Sequence, residues 1–534
     1  MKKILIFLFI IASILVSTQI LFTKPQNISK TRNMIRLNIK KEPPTMDPRK
    51  GGDVCSTQMH FLFFEGLLKV YPDQSIKLAQ AESYEVSEDK LTYTFFLRDT
   101  VWSNHTPVTA YDFEQSWKDV LDPKFPSMSA QLFSPIKNAD AAKKGLVSLD
   151  EVGIKATDAK TLVITLEKPT PYLFKLLSFC AFSPVNIEND RENPDWAYHA
   201  GSTFLSNGPF RLEKWDHEKQ IIAIRNPTYR KTEDLHPEKI IFNIVENNEI
   251  TLQMFEKGLV DIIGDCLTDI PLEEIPHLEK KWTISREEAA TTAFININTD
   301  QFPLNHPKIR RALGLAINRE ELVRYIAYQA SSVATNMVPP YLKENRHRSF
   351  FTDNDGVQAR IFLEDGLREL GVSKEAFDSV VLYYYSYGTS ELVQTIQQQW
   401  LKTLGLLIKI ECLDFRSAVE KLIQGDYFMC LTAWAAMYHD PMSVLERFRY
   451  KTYITNFSNW ENPEYIKLLD RSFYEEADKR FYTLEQAEKI FLDEMPFIPL
   501  YHEDYVYIIN PRLPFRVSLW GDRILLPQSL KDKN

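Results

Sequence analysis

The residue types that most often carry out chemistry are scattered along this sequence without the spacing of a catalytic or metal site. The chain lacks the G-x-S-x-G, H-E-x-x-H, phosphate-loop and G-x-G-x-x-G patterns. Among its ten histidines the closest neighbours are His199 and His217, too far apart to share a helical turn around a metal ion. We therefore expect no enzyme, no metal site and no cofactor. A Ser/His/Asp site assembled from distant segments is the alternative.

The cysteines indicate neither a metal site nor a redox motif, because their number is odd and no C-x-x-C occurs. They are Cys55, Cys180, Cys266, Cys412 and Cys430. We expect most of them to be small buried side chains. Cys412 and Cys430 lie in two strand-like runs, so a disulfide between them is the alternative in an oxidising compartment.

Residues 431–441, LTAWAAMYHDP, offer backbone chemistry rather than side-chain chemistry. The stretch begins as a short apolar strand and passes through small residues before a turn. Small side chains let another chain come close enough for backbone hydrogen bonds. The stretch is therefore predicted to form one wall of a peptide-sized cleft.

The elements around this stretch predict an α/β domain. Its predicted strands are 380–385, 406–412 and 428–434, and its predicted helices are 391–404 and 416–423. This alternation is typical of a largely parallel sheet. Nearer the N-terminus, the pattern predicts an extended piece within 51–56 and a helix at 60–70.

Length, charge and the N-terminus limit the class of protein. A chain of 534 residues is too long for one hydrophobic core and predicts two or three domains, and its net charge of −9 argues against a nucleic-acid partner. Two lysines and the apolar run 4–16 predict a secretory signal within residues 1–30, with an uncleaved anchor as the alternative. No cysteine precedes Cys55, so we expect no lipid-modified N-terminal cysteine. A periplasmic protein, free or tethered by this segment, is expected.

Seven segments, taken in order, resemble one family. They are LTYTFFLRDTVWSNHTPVTAYDFEQSW (91–117), SNGPF (206–210), RNPTY (225–229), KGLVDII (257–263), PLNHPKIRRALGLAI (303–317), QQWLKTLG (398–405) and AEKIFLDEMPFIPLY (487–501). Asn104-His105 departs from the usual Asp-Gly. With these segments the chain resembles the extracytoplasmic solute-binding proteins of the oligopeptide and dipeptide ABC importer family.

The resemblance implies an α/β, three-lobed fold of the periplasmic-binding-protein type II kind. Two lobes joined by a hinge close over the ligand, and a third lobe is inserted. The implied lobes are lobe I at 31–64, 188–288 and 504–534, lobe II at 65–187, and lobe III at 289–503. The resemblance further implies a monomer whose closed form docks on permease subunits in the inner membrane. A ligand stabilises the closed state only through contacts that the open state lacks.

In the family the ligand is an extended peptide held by backbone hydrogen bonds to two strands, which by position are residues 52–54 and 433–435 here. Trp434, Tyr438, Phe415 and Tyr501 would line side-chain pockets. The cleft residues that the resemblance implies are Gly52, Asp53, Val54, Asn296, Thr389, Phe415, Leu431, Ala433, Trp434, Ala435, Met437, Tyr438 and Tyr501.

The ionic anchors of the family are replaced by uncharged residues. Gap-free counting from Trp434 puts the aspartate that binds the ligand's ammonium at Met437. The positions that bind its terminal carboxylate fall on Leu422, Leu431 and Thr389.

Two further pairs of residues bear on the predicted cleft. The cysteine pair that members often bridge falls on Thr291 and Ala435. Asp53 or Asp440 is the nearest acid that could bind a cation in place of Met437; alternatively, Asp53 is a solvated loop acid and Asp440 caps a helix at Pro441.

These features favour a solute-binding component of an ABC importer whose ligand is a peptide. Within the same fold, the alternative is a non-peptide or terminally blocked ligand, such as a cell-wall fragment, haem or a metal chelate. A membrane-anchored ligand sensor without transport is the alternative from another class.

Because Met437 replaces the ammonium anchor, unmodified tri- to pentapeptides should bind weakly. A buried ammonium without a partner costs about 3–5 kcal/mol, or two to three decades in affinity. Isothermal titration calorimetry of such peptides checks this expectation. Sub-micromolar affinity across many sequences would contradict it.

Overall fold

The computed structural model describes residues 33–71, 75–230, 237–264, 267–325, 330–343, 348–385, 390–511 and 513. The predicted signal or anchor at 1–30 lies outside the described residues. The α-helices of the described part are α1 Val54–Phe63, α2 Ala110–Leu121, α3 Ala139–Lys143, α4 Leu173–Leu177, α5 Ile187–Glu192, α6 Asn248–Glu256, α7 Ile275–Leu278, α8 Pro307–Leu315, α9 Arg319–Tyr325, α10 Gly356–Leu370, α11 Ser390–Leu404, α12 Phe415–Gln424, α13 Met442–Leu445, α14 Pro463–Ser472 and α15 Ala477–Glu494. None of these helices has the length and apolarity needed to cross a membrane.

A four-stranded sheet joins chain segments from both sides of predicted lobe II. Its strands are β1 Met34–Ile39, β8 Phe210–Asp216, β9 Gln220–Arg225 and β10 Lys239–Ile244, in the order β1-β10-β9-β8. β1 pairs with β10 in parallel, and the other pairs are antiparallel. This pairing is what a discontinuous lobe I requires, since the whole of predicted lobe II lies between β1 and β8 in the chain.

The residues of predicted lobe II form two antiparallel sheets. Their strands are β2 Leu68–Val70, β3 Ile76–Leu78, β4 Ala81–Val86, β5 Thr92–Leu97, β6 Ile154–Asp158 and β7 Thr161–Thr165. β2 pairs with β3, and the larger sheet has the order β4-β5-β7-β6. α2 packs on this sheet through Phe113 and Trp117, which are fully buried. A capping box between Thr109 and Asp112 fixes the start of α2.

A seven-stranded mixed sheet contains the stretch that was predicted to face a cleft. Its strands are β11 Ile262–Gly264, β12 Ser285–Ile297, β13 Ala330–Val333, β14 Val381–Tyr384, β15 Lys409–Cys412, β16 Met429–Ala435 and β17 Phe497–Ile509. Their order is β11-β17-β12-β16-β14-β15, and β13 lies outside this order and pairs with β17. The prediction of a largely parallel sheet is correct for β15-β14-β16 alone, where α11 and α12 form the crossovers. It is wrong for β16, β12, β17 and β11, whose pairs are antiparallel.

Two long strands, β12 and β17, cross the predicted boundaries between lobes I and III. Glu288 lies opposite Asp504, and the regular ladder resumes only at Thr292 opposite His502. Three residues of β12 therefore face one residue of β17 at this point. The predicted boundaries at 288/289 and 503/504 coincide with this break in register.

The predicted helix at 60–70 is wrong for its second half. α1 ends at Phe63, and Phe64 is already extended. The carbonyls of Gly66 and Leu67 accept hydrogen bonds from the N–H groups of Gln80 and Ala79. These sheet-type bonds with a neighbouring segment replace the helical bonds that the apolar run suggested.

One buried arginine connects the loop before α1 to helices α2 and α5. The Arg49 side chain is only 2% exposed and pairs with Asp47, Asp119 and Asp190 at N–O distances of 2.9, 2.7 and 2.6 Å. Burial acts to lower the pKa of Arg49, but the carboxylates of Asp47 and Asp190 hold this pKa well above its usual value. All three carboxylates bind the same guanidinium. The ion cluster therefore connects predicted lobe I to predicted lobe II through the side chain of Arg49.

Arg49→Met should lower the free energy of unfolding by about 3–5 kcal/mol, because it leaves three carboxylates in this cluster without their partner. Denaturant unfolding followed by far-UV circular dichroism checks this effect. The matched control is Arg416→Met, which removes an 88%-exposed arginine paired with Glu420 and should change stability by less than about 1 kcal/mol. Equal effects of the two substitutions would contradict the assignment.

Candidate ligand-binding site

The backbone of β16 has one edge that β12 does not use. The N–H group of Ala436 donates to the carbonyl of Ala290, so at residue 436 the backbone points towards β12. Peptide groups alternate in direction along a strand. Those of Ala433 and Ala435 therefore point to the opposite edge of β16.

Along this second edge, no strand of the described residues pairs with the last residues of β16. On that side β14 pairs with β16 at Met429 and Cys430 and goes no further. Ala433 is partly exposed and Ala435 is exposed. The edge thus presents unpaired peptide groups and small side chains, which together allow another extended chain to add to the sheet.

A cavity of about 480 Å³, counting its open mouth, lies at the end of this edge. Trp434, Met437 and Tyr438 line it from the β16 side, and Gln131 and Tyr172 line it from predicted lobe II. The three residues from the β16 side were all predicted to lie in the cleft. The cavity therefore joins the predicted cleft to lobe II.

Stacked tyrosines close one side of the cavity. The rings of Tyr172 and Tyr438 are 5.2 Å apart and nearly parallel, at 11°. Burial raises the pKa of both phenols well above the usual value, so they stay neutral at physiological pH. The turn after β16 is held by Ser443, whose hydroxyl accepts the N–H of Met437 at 2.8 Å.

Sequence reasoning missed Arg447, which lines the cavity next to Glu446. Its guanidinium lies 4.1 Å from the centre of the Trp434 ring, and its Nε donates to the Thr455 carbonyl at 2.5 Å. Burial lowers the pKa of Arg447 to about 9, which still leaves it charged at neutral pH. The sequence feature that could have identified Arg447 is a charged residue between the apolar residues Leu445 and Phe448. None of the family's motifs includes it.

The segment 52–54 is not a strand, so the prediction of a second pairing strand is wrong in this structure. Asp53 is the N-cap of α1 and accepts the N–H of Ser56 at 2.9 Å. Val54 is the first residue of that helix. Gly52 is exposed and precedes the cap. The cap starts a helix where the pattern predicted extended chain.

Other predicted residues do not line the cavity. Asn296 is fully buried and donates to the Thr432 hydroxyl at 2.9 Å. Leu431 and Tyr501 are also buried, and Tyr501 pairs with neighbouring strands at Ala293 and Val333. Phe415 is 59% exposed and packs edge-on against Tyr385. Thr389 lies outside the described residues.

Asp440 does not offer a free carboxylate. It is 2% exposed and pairs with both terminal nitrogens of Arg480, at 2.9 and 2.7 Å. Its Oδ1 also accepts the N–H of Met442, the first residue of α13. The predicted cap of a helix starting at Pro441 is wrong in its position, because Pro441 itself is the N-cap residue of α13. Leu422 is buried against Tyr427 and Cys430.

Family comparison identifies the class of protein. The profile of bacterial extracellular solute-binding proteins, family 5 (Middle), matches residues 75–456. The chain belongs to this family. OppA, the oligopeptide-binding protein of Bacillus subtilis (strain 168), is 36% identical over 481 residues, which cover 89% of this chain and 88% of that protein.

Solved structures of family 5 proteins share the fold. An oligopeptide-binding protein of Borrelia burgdorferi, OppAIV, superposes with a TM-score of 0.79 at 27% identity, over 90% of this chain and 95% of that one. Listeria monocytogenes OppA bound to peptide superposes with a TM-score of 0.77 at 25% identity, over 93% of this chain and 99% of that one. The predicted α/β fold of the type II kind is confirmed.

The cysteines of this family 5 protein do not form the alternative disulfide. Cys412 is opposite Tyr384, and Cys430 is opposite Tyr383, so β14 lies between the two cysteines. Two strand spacings are about 9–10 Å, beyond the ~7 Å that a disulfide can span. Both thiols are free.

The positions of the family's cysteine pair nevertheless lie opposite each other. Thr291 and Ala435 are cross-strand partners in β12 and β16. Because the peptide groups of Ala435 point away from β12, this is a non-hydrogen-bonded pair, the type with the shorter Cα–Cα distance. The backbone geometry for a bridge is therefore present without the cysteines.

Thr291→Cys combined with Ala435→Cys should form a disulfide on air oxidation. Counting free thiols in the denatured, unreduced protein and finding the linked peptide by mass spectrometry check this. Thr291→Cys with Ala433→Cys is the control, since its diagonal Cα–Cα separation of about 7–8 Å is too long. Formation of a disulfide in both variants, or in neither, would contradict the pairing of Thr291 with Ala435.

Proposed function

We propose that this family 5 protein captures peptides outside the cytoplasm, between lobes I and III, and delivers them to the permease of an ABC importer. The observation that carries the proposal is the open edge of β16 at Ala433 and Ala435 beside the cavity. The Listeria monocytogenes relative, which was solved bound to peptide, supports the class of ligand.

The mode of binding is strand addition. An extended peptide beside β16 exchanges backbone hydrogen bonds with Ala433 and Ala435, and these bonds do not depend on its side chains. The cavity at Trp434 and Met437 receives one side chain or one end of the ligand. Affinity thus comes from the backbone, and selectivity comes from the cavity.

Closure takes place at the break between β12 and β17. The two strands lack regular pairing between the Glu288–Asp504 pair and the Thr292–His502 pair, so they can change their relative twist without losing the ladders on either side. Lobes I and III move about this point, and the ligand favours the closed state by contacting both. The closed monomer is the form that the permease recognises.

Ala435→Pro tests strand addition, because proline removes an N–H that β12 does not use. The loss of one backbone hydrogen bond, about 1 kcal/mol, should weaken peptide binding about fivefold with little change in melting temperature. Ala435→Ser keeps the N–H and is the matched control. Calorimetry with a peptide that binds the wild type is the measurement.

Two outcomes of that experiment would overturn the proposal. Equal affinities of the Pro and Ser variants would mean that the ligand does not pair with this edge. If no member of a broad peptide library binds the wild type, the ligand belongs to another chemical class.

A further inference from the structure

Arg447 is a buried cation in an aromatic setting. The residue is 6% exposed, and its guanidinium lies over Trp434 at 4.1 Å, Phe457 at 5.1 Å and Phe448 at 5.3 Å. The rings solvate one face of the cation through cation–π attraction. They supply no acceptor for its N–H groups.

The donors of Arg447 are largely unused within the described residues. A guanidinium carries five N–H groups. One of them, on Nε, donates to Thr455, and neither Nη atom makes a hydrogen bond or ion pair to any described residue. The adjacent acid, Glu446, already accepts from Nε and Nη2 of Arg449 at 2.5 and 2.8 Å.

Other buried arginines of the chain have their charge or their donors satisfied. Arg480 pairs with Asp440, and Arg319 pairs with Asp353. Arg310 forms no ion pair with a carboxylate of the described residues, but two of its nitrogens donate to the carbonyls of Glu494 and Leu304. Arg447 differs from all three because it lines the cavity with its Nη atoms unpaired.

A second unpaired donor lies on the same cavity wall. The indole N–H of Trp434 is buried and has no hydrogen-bond partner among the described residues. Unpaired buried donors are unfavourable, and a ligand that accepts hydrogen bonds removes this penalty on binding. A cation and a neutral donor side by side favour an anionic oxygen acceptor.

We infer that the cavity binds a carboxylate of the ligand through Arg447 and the Trp434 indole. This inference rests on the proposed function, since it names the subset of peptides that the site selects. The carboxylate belongs either to an acidic side chain or to the C-terminus. A lysine or arginine side chain is rejected, because it would bring a second cation next to Arg447.

A peptide series with paired changes distinguishes the two sources. Each member carries Glu or the isosteric Gln at one position, and a free or amidated C-terminus. For wild-type protein, calorimetry should show a loss of about 10- to 100-fold when the recognised carboxylate is neutralised, as expected for a hydrogen bond to a charged group. A loss of affinity on Glu→Gln shows that the recognised carboxylate belongs to a side chain. A loss of affinity on amidation shows that it belongs to the C-terminus.

Arg447→Met should abolish this preference while weakening neutral peptides much less. Without ligand its melting temperature should be unchanged or raised, because the substitution removes a buried charge that pairs with no carboxylate among the described residues. Arg310→Met is the control: it should lower the melting temperature, since two carbonyls lose their donor, and it should keep the carboxylate preference.

The inference is overturned if charged and neutral peptides bind the wild type equally. It is also overturned if Arg447→Met retains the full preference. Both results presuppose measurable peptide binding. The absence of any peptide binding to the wild type instead contradicts the proposed function. The wild-type series alone decides the question if the Met variant fails to fold.

Discussion

The free edge of β16 is the constraint on which the site depends. A strand directs successive peptide groups to opposite sides, so pairing with β12 on one side leaves Ala433 and Ala435 facing the other. Exposed peptide groups with small neighbours are a template for a further strand. The sheet can therefore accept a ligand as an additional strand without changing any of its own hydrogen bonds. β12 crosses the predicted boundary between lobes I and III, and it connects this pairing to the break beside Glu288.

The charges near this edge are arranged to leave one cation available. Asp440 is neutralised by Arg480, and Glu446 is neutralised by Arg449. Met437 stands where a carboxylate was expected from the family. Since these two acids are already paired, we propose that Arg447 sets the electrostatic preference of the site. The cavity thus favours the opposite charge from an ammonium-binding site.

Local elements with a clear period could be predicted closely from the sequence. The helices α11 and α12 and the strand β16 each fall within one residue of their predicted ends. Each helix has an apolar face of the correct period, and β16 is a short apolar run that ends at small residues. The run at 60–70 is apolar on every side, so its pattern could not show that it leaves the helix after Phe63. The antiparallel part of the large sheet is formed by β12 and β17, which are distant in sequence. Neither local pattern nor spacing indicates such pairing.

Only part of the candidate ligand-binding site could be predicted from the sequence, because its other residues depend on contacts that form in the folded chain. Small residues after a strand indicated the edge at 433–435, and the family's motifs indicated Trp434 and Met437. Arg447 matters because its neighbour Glu446 is bound to Arg449, which is a property of the folded chain. Asp53 illustrates the same limit, since its role as a helix cap depends on the N–H of Ser56 rather than on any ligand.

Mass spectrometry of the small molecules released from protein that was purified without denaturation tests the central claim most directly. The account predicts peptides, enriched in members with an acidic side chain or a free C-terminal carboxylate, and depleted in those that would place a cation in the cavity. Release of haem, a metal chelate or a cell-wall sugar without peptide would contradict strand addition at β16 as the basis of binding.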